Sequence, residues 1–550
     1  MLRPAVLFLI CTAWLRADDA ILSPRDGWAF AAGAQDLIQA GAWNCVPGVN
    51  AAPPPGIVIS ASDNYNTVVN TSGPRLKVNG DFSVLASFST PASPGTYLTL
   101  MGARTGAPST GQWWQGIQRL DVGIGAQITV NYWQGDSPNA TNQIFPDLPG
   151  RSHPYTLEVA RIGSQFVIYV NGVESARVDD PGLFKSGQVY LGFNVSPGNT
   201  LTVQGLAAAV PSDLPSNLAL VSPYLRMAQR TDSALRNAAD ARGFLIGAAV
   251  NPALFGMDAY AETLGREFNV VVAENDMKFA ATHPAKDRYN FCAADNLITF
   301  AQTNQMKVRG HALVWHQALP DWLTKGGYSS GDAANILHDH ITTVMKHFKG
   351  QLISWDVVNE SISYSPPYGD QPSFWLNTLG PGYVDQAFRW ARETDPDVKL
   401  FYNETGGEGL GAKSDKLYNL VKGMQDRGVP LDGVGLQMHI DAVNPPTLDA
   451  ISTNIQRLGA LGLEVHITEM DVRVPQPATP ANLDAQARVY QSVLTACQAN
   501  ANCKALLTWG VTDAYSWIPG AYKGFGSALL FDEKYNPKPA YQALLTTLTP

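Results

Sequence analysis

The second half of the chain repeats one device eight times: a short apolar run that ends in polar residues and is followed by helix-like sequence. The runs are FLIGAAV from Phe244, NVVVAEN from Asn269, KVRGHALVW from Lys307, LISWDVVNE from Leu352, KLFYNE from Lys399, GVGLQMHI from Gly433, EVHITEMDV from Glu464 and ALLTWGVTD from Ala505. Strand and helix alternating in this way over roughly 300 residues predict a (β/α)8 TIM barrel across residues 223–550. In such barrels the strand ends converge on one mouth, and the active site sits there. Polar residues cluster at those ends in this chain.

The first part has a different texture. Residues 21–208 carry short alternating runs punctuated by Gly, Pro, Asn and Ser. Phe82, Val84, Ala86 and Phe88 alternate with neighbours that include polar Ser83 and Ser87, the pattern of a half-buried strand. QFVIYV from Gln165 is followed by Asn171-Gly172 and VESARV; Asn-Gly accepts the positive φ angles of a tight hairpin turn. QVYLGFNV from Gln188 reads as another strand. An all-β sandwich is expected, and YTLEVARIGSQFVIYVNGV from Tyr155 resembles the concanavalin/laminin-G-like group of sandwiches. Residues 209–222, with prolines and small residues, read as a linker. Before the sandwich, residues 1–20 read as a signal peptide: Arg3, a largely apolar run from Pro4 to Leu15, and small Ala17 and Ala20 for cleavage, with Arg16 a departure from the usual site. The run is too short to span a bilayer comfortably, and no other stretch is apolar enough to do so. Secretion, extracellular or periplasmic, is therefore expected, with no membrane anchor.

Export implies an oxidising compartment. Cys497 and Cys503 are close enough in sequence to staple a short loop. Cys45 and Cys292 sit in different regions, and free thiols are one reading of them. No Cys and His set has zinc-ligand spacing, so neither a metal nor a cofactor is expected. The net charge of −9 lacks the footprint of a nucleic-acid binder.

The fourth run ends in Asn359-Glu360, and the seventh contains Thr468-Glu469-Met470-Asp471. One such glutamate alone would suit a rim salt bridge or a solvated loop. Two that converge on one mouth from apolar and aromatic runs supply the carboxyl pair that glycoside hydrolysis needs. Trp315, Trp509 and Trp517 lie at or just beyond strand ends, where aromatic faces can stack on sugar rings. Asn275, Lys278, His311, Asn359, Gln437 and His439 are placed near the same mouth and could bind hydroxyls.

Residues 225–547 resemble glycoside hydrolase family 10, whose characteristic activity is endo-β-1,4-xylanase. The matching segments are GHALVWH ending at His316, WDVVNE ending at Glu360, QMHI from Gln437, ITEMD ending at Asp471, WGVTDAYSW from Trp509 and LLFDEKYNPKPAY from Leu529. The resemblance implies Glu360 as acid/base and Glu469 as nucleophile of a retaining double displacement. It implies that Asn359 contacts the 2-hydroxyl and that His439 orients the nucleophile. Glu274, Asn275 and Lys278 would bind the glycone side, and His311, Trp315, Gln437, Trp509 and Trp517 would floor and wall the cleaved sugar. It also implies a loop disulfide between Cys497 and Cys503. Burial and repulsion between the carboxyls should raise the acid's pKa relative to the nucleophile's.

Several positions depart from the family pattern. Phe279 replaces a Trp, Ala318 a glycone-binding Gln, and Glu404-Thr405 an Asp-Tyr whose Tyr stacks on the leaving-group side. The insert GGEGLG from Gly406 reads as a flexible loop. These departures touch subsites rather than cleavage, and leave a related β-1,4-glycan as an alternative substrate to xylan. A second alternative is a non-catalytic carbohydrate-binding protein, against which both glutamates and Asn359 speak. A third, a metal hydrolase built on His338, His340 and His347, is disfavoured because these lie before the fourth run, away from the mouth. The sandwich is either a carbohydrate-binding module, with Trp113, Trp114 and Trp133 as a platform, or a spacer. The expected partner is the polysaccharide itself, bound by a monomer.

Overall fold

The computed structural model describes residues 225–549 without interruption. Before that it describes residues 22, 25–30, 37–40, 43, 49–52, 56–60, 66–69, 75–88, 96–104, 117–124, 127–133, 141–146, 155–184, 187–213 and 218–221. The chain divides into two compact units, Met1–Val221 and Ser222–Pro550.

The second unit is a closed parallel barrel. Its strands are β1 Leu245–Val250, β2 Val270–Ala273, β3 Lys307–Val314, β4 Ser354–Asn359, β5 Lys399–Glu404, β6 Gly433–Leu436, β7 Glu464–Pro475 and β8 Cys503–Thr508. Each pairs in parallel with its neighbour, and β8 returns to β1 through Leu245↔Ala505 and Gly247↔Leu507. The eight apolar runs thus become the eight barrel strands. The sixth is interrupted: the chain leaves β6 at Leu436, and a short strand, His439–Asp441, pairs with the far end of β7.

Side chains alternate across each strand. On β1, Ile246, Ala248 and Val250 join the main core between barrel and helices. Ala249 belongs to a smaller cluster with Val270, Val272, Ala505 and Leu507, against which Leu245 and Trp509 pack. Charged and polar groups of β3, β4 and β7 meet elsewhere. Arg309, 1% exposed, donates to Asp356 and to His466 Nδ1 at 2.7 Å, and His466 Nε2 lies 2.8 Å from Glu464. Gly435 is required on β6, because a Cβ there would come within 2.0 Å of Asn403 Oδ1.

The first unit is two antiparallel sheets around one core. One sheet runs through Val173–Asp179, Gln165–Val170, Tyr155–Ile162, Phe82–Phe88, Thr200–Pro211, Gly56–Ser60 and Val49–Ala52. The other runs through Thr141–Pro146, Gln127–Trp133, Ile117–Ile124, Tyr97–Arg104, Gln188–Val195, Arg75–Val78 and Leu218–Val221. The Asn-Gly hairpin is present, with φ of 51° at Asn171 and 78° at Gly172.

Four expectations change. Phe82–Phe88 is buried on both faces, because it lies inside its sheet and Ser83, Leu85 and Ser87 are as buried as the core-facing residues. Residues 209–222 are not simply a linker: one strand continues to Pro211, and Leu218–Val221 pairs with Arg75–Val78 because its apolar residues complete that sheet. Cys292 is disulfide-bonded rather than free; Cys45 lies outside the described residues. The segment from Gly406 is pinned rather than flexible. Glu408 turns inward and accepts the N–H groups of Gly406 at 2.9 Å and Met438 at 3.2 Å, while the Asn454 amide donates to the Gly407 and Glu408 carbonyls.

Residues 1–20, Trp113 and Trp114 lie outside the described residues. Trp133 ends a strand opposite Arg119. Among the described residues no helix is long and apolar enough to cross a membrane, and no His/Cys/Asp/Glu group could hold a metal. Cys497 and Cys503 form a disulfide, with 5.2 Å between their Cα atoms.

Candidate active site

The C-terminal end of β4 and the middle of the long strand β7 bring Glu360 and Glu469 into the barrel mouth, 7% and 5% exposed. The backbone holds them in the sheet's own register. Glu360 N–H donates to the Asn403 carbonyl at 3.0 Å, and Glu469 N–H to the Gln437 carbonyl at 3.0 Å. Glu360 sits at φ 54°, the left-handed region that non-glycine residues seldom occupy.

A continuous chain of side-chain hydrogen bonds joins the two carboxylates. Gln437 donates to Glu360 Oε1 at 2.7 Å and to Asn359 Oδ1 at 3.2 Å. Asn403 donates to the same Asn359 oxygen at 2.8 Å and to Glu469 Oε1 at 2.7 Å. Thr468 donates to Asn403 Oδ1 at 2.7 Å, fixing which end of that amide faces Glu469. Since the Asn359 oxygen accepts twice, its NH2 group is the end left for the cleft.

Each carboxylate has further partners. His439 bridges Glu469 Oε2 at 3.1 Å and Asp471 Oδ2 at 2.8 Å. Burial opposes charge on this imidazole, but the two flanking carboxylates outweigh it and hold its pKa well above the usual value. Asp471 also accepts from the Trp517 indole at 2.8 Å. Glu360 Oε2 accepts from the Trp315 indole at 3.0 Å and from the hydroxyl of Tyr364. Burial pushes the Glu360 carboxyl up, yet the donors Gln437, Tyr364 and Trp315 together bring it below its ordinary value. Sequence shows the burial but not three donors on one carboxylate.

The glycone-side residues gather on the other wall. The Lys278 ammonium lies 3.0 Å from Asn275 Oδ1, 4.8 Å from the Trp315 ring centroid and 5.8 Å from that of Trp509. Burial pulls this amine below its usual value against the pull of Glu469, Glu274 and Glu360. Burial also pushes Glu274 up to about 7. His311 meets Asp356 at 3.0 Å and packs edge-on against Trp509 at 5.3 Å. All twelve expected site residues therefore lie around one mouth. Sequence reading omitted Asn403, Asp356 and Tyr364.

The departures have physical accounts. Phe279 points into the core, stacked on His340 at 3.8 Å between ring centroids and packed near Trp322 and Trp375. His340 is therefore a packing residue, while His338 and His347 pair with Asp339 and Asp295. Ala318 has φ 51°, and its carbonyl accepts from Ala280 N–H at 2.8 Å. Glu404 is fully buried, 3.1 Å from Lys413 and 2.9 Å from the Tyr402 hydroxyl, and burial pushes it up to about 7.

Comparison with known proteins agrees with this geometry. Residues 234–547 match the sequence profile of Glycosyl hydrolase family 10. Endo-1,4-beta-xylanase B of Thermotoga neapolitana is 42% identical over 337 residues, which is 60% of this chain and 96% of that protein. Endo-1,4-beta-xylanase of Agaricus bisporus is 38% identical over 301 residues, 54% of this chain and 88% of that protein. Native xylanase 10B from Thermotoga maritima superposes with a TM-score of 0.56 at 45% identity, covering 57% of this chain and 98% of that structure. Xylanase 10B from Thermotoga petrophila, solved with xylobiose, gives a TM-score of 0.56 at 44% identity, covering 57% and 97%. With its barrel matched along nearly its whole length, the chain belongs to glycosyl hydrolase family 10.

Proposed function

We propose that this protein is an endo-acting β-1,4-xylanase that retains anomeric configuration, with Glu469 as nucleophile and Glu360 as acid/base. The observation that carries this reading is the amide chain Glu360–Gln437–Asn359–Asn403–Glu469, which locks both carboxylates into one mouth. The aromatic walls Trp315, Trp509 and Trp517 suit a sugar polymer.

The residues divide the chemistry. Glu469 is held by Asn403 on one oxygen and by cationic His439 on the other, so it is poised to attack the anomeric carbon. The free NH2 of Asn359 meets the 2-hydroxyl of the sugar under attack. Glu360, with Oε2 toward the cleft, gives its proton to the leaving oxygen and then takes one from the water that releases the glycosyl-enzyme. The name xylanase rests on the relatives; mixed-linkage glucan and cellulose are the alternatives that the altered subsites keep open. The disulfides at Cys497–Cys503 and Cys292 support an exported protein, as the signal-like residues 1–20 do.

The test is product analysis on xylan, cellulose and mixed-linkage glucan, with the first-formed anomer read by NMR. Oligosaccharides from xylan, released first as the β-anomer, are expected. No reducing ends from any polymer would leave a carbohydrate-binding protein, and an α-anomer would refute retention.

A further inference from the structure

Three donors reach the Glu360 carboxylate, and they differ in freedom. Gln437, 1% exposed, comes from the barrel wall. Trp315 is half-buried and anchored, its carbonyl accepting from the Trp375 indole at 3.1 Å. Tyr364 is 45% exposed and comes from the loop after β4. Oε2, shared by Trp315 and Tyr364, therefore faces the cleft, and Tyr364 is the donor free to give way.

The surroundings of Tyr364 are built rather than incidental. Its hydroxyl lies 3.1 Å from His316 Nε2, and the Lys413 ammonium lies 5.1 Å from its ring centroid. Lys413 is buried and fixed by Glu404 at 3.1 Å. Thr405, which stands where a leaving-group-side Tyr was expected, has no ring; its N–H turns back to Glu404 Oε1 at 3.1 Å. The neighbouring loop thus brings an aromatic ring to the mouth beside a β5 end that lacks one.

We propose that Tyr364 is a positioning residue for the leaving-group side. Its hydroxyl holds Oε2 of Glu360 in the free enzyme and is exchanged for the glycosidic oxygen when the leaving sugar enters, and its ring becomes a wall against that sugar. The proposal rests on Glu360 being the acid.

The exchange alters what Glu360 must be. A phenol can donate, whereas a glycosidic oxygen only accepts. In the free site the donors keep Glu360 ionised against burial. Trading one donor for an acceptor favours the protonated carboxyl, so one proton is taken from solvent as substrate binds. Burial and the charge of Glu360 push the Tyr364 phenol up, so it remains a donor. The other groups facing Glu360 stay in place: His316, pulled down by burial, Lys278, Glu404 with Lys413 beyond it, and Glu469 through the amide chain.

Tyr364→Phe and Tyr364→Ala test this, through pH profiles of kcat and kcat/KM. The substrates are xylohexaose and xylobiosyl fluoride, whose leaving group carries no sugar. With xylohexaose, Tyr364→Phe should move the basic limb of kcat/KM up by about one pH unit, since that limb reports the free enzyme, and leave the basic limb of kcat in place. Tyr364→Ala should raise KM for xylohexaose about three- to tenfold without raising it for the fluoride, and Phe should restore it. A limb that moves equally in both profiles, or in neither, overturns the exchange. A KM that rises alike for both substrates overturns the wall. Glu360→Ala is the separate control: it should hydrolyse the fluoride but not xylohexaose, and failure on both would overturn the acid assignment itself.

Discussion

At the residue scale, Asn403 is the joint of the site. It touches the nucleophile, the Asn359 oxygen and Thr468, and it is fully buried. Asn403→Ala should lower kcat on an aryl xylobioside about ten- to a hundredfold with little change in KM, because it loosens Glu469 without touching the sugar. An unchanged kcat would remove Asn403 from the machinery. Glu469→Ala should abolish hydrolysis of every substrate, measured as reducing ends released. The residues legible in sequence share one trait: they sit at the ends of apolar runs. Asn403 has that trait too, next to the end of KLFYNE, but it stands beside the altered Glu404-Thr405, which breaks the family pattern there. Tyr364 has no such signal, since a loop has no register to say where its side chain goes. The ionisation of Glu360 was equally out of reach, because its donors come from three separate segments.

At the element scale, the closeness of the strands sets the tolerances. A Cβ on Gly435 would meet Asn403 Oδ1 at 2.0 Å and Thr468 Cγ2 at 2.9 Å. Gly435→Ala should cost about 1–3 kcal/mol in denaturant unfolding and also lower kcat, since the clash falls on the group that holds the nucleophile. Inside the barrel, Asp356 is 1% exposed and pairs with Arg309 and His311; burial pushes its carboxyl up, but these partners hold it below its usual value. Asp356→Ala should destabilise by about 3–5 kcal/mol, leaving a buried guanidinium unpaired. A loss below that of an ordinary core truncation would show that Arg309 finds solvent. The eight strands were readable because parallel strands are apolar runs. The break after Leu436 and the strand Leu218–Val221 were not. The break depends on an alternative pairing partner on β7, and the strand on a distant one at Arg75–Val78.

At the scale of the whole molecule, buried titrating groups oppose one another. Burial pulls His466 down to about 4, a depressed value whose stability is present above its unfolded pKa and lost as pH falls toward 4. Glu404 and Glu274 are pushed up to about 7, so their contribution is present below the unfolded carboxylate pKa and lost as pH rises through 7. Each effect is on the order of 3 kcal/mol at most, and they offset each other between these limits. Glu404→Gln removes one of the two raised carboxyls and leaves Glu274, so relative to the parent its Tm should drop as pH falls from 7 to 5; parallel curves would refute this contribution. Because 337 residues account for 96% of a relative, residues 222–550 alone, carrying Cys292→Ser, should keep kcat/KM on xylohexaose within about twofold. Retention on insoluble xylan by the full chain but not by the barrel would identify the sandwich as a binding module.

The pinned segment from Gly406 bears on the thermodynamics of substrate capture. A rim that must fold around a polymer loses conformational entropy with every chain it binds. Here Glu408 and Asn454 already hold that segment in place beside the mouth. Removing the ties with Glu408→Ala should therefore make calorimetric binding of a xylo-oligosaccharide more entropically unfavourable, even if the contacts in the bound state are unchanged.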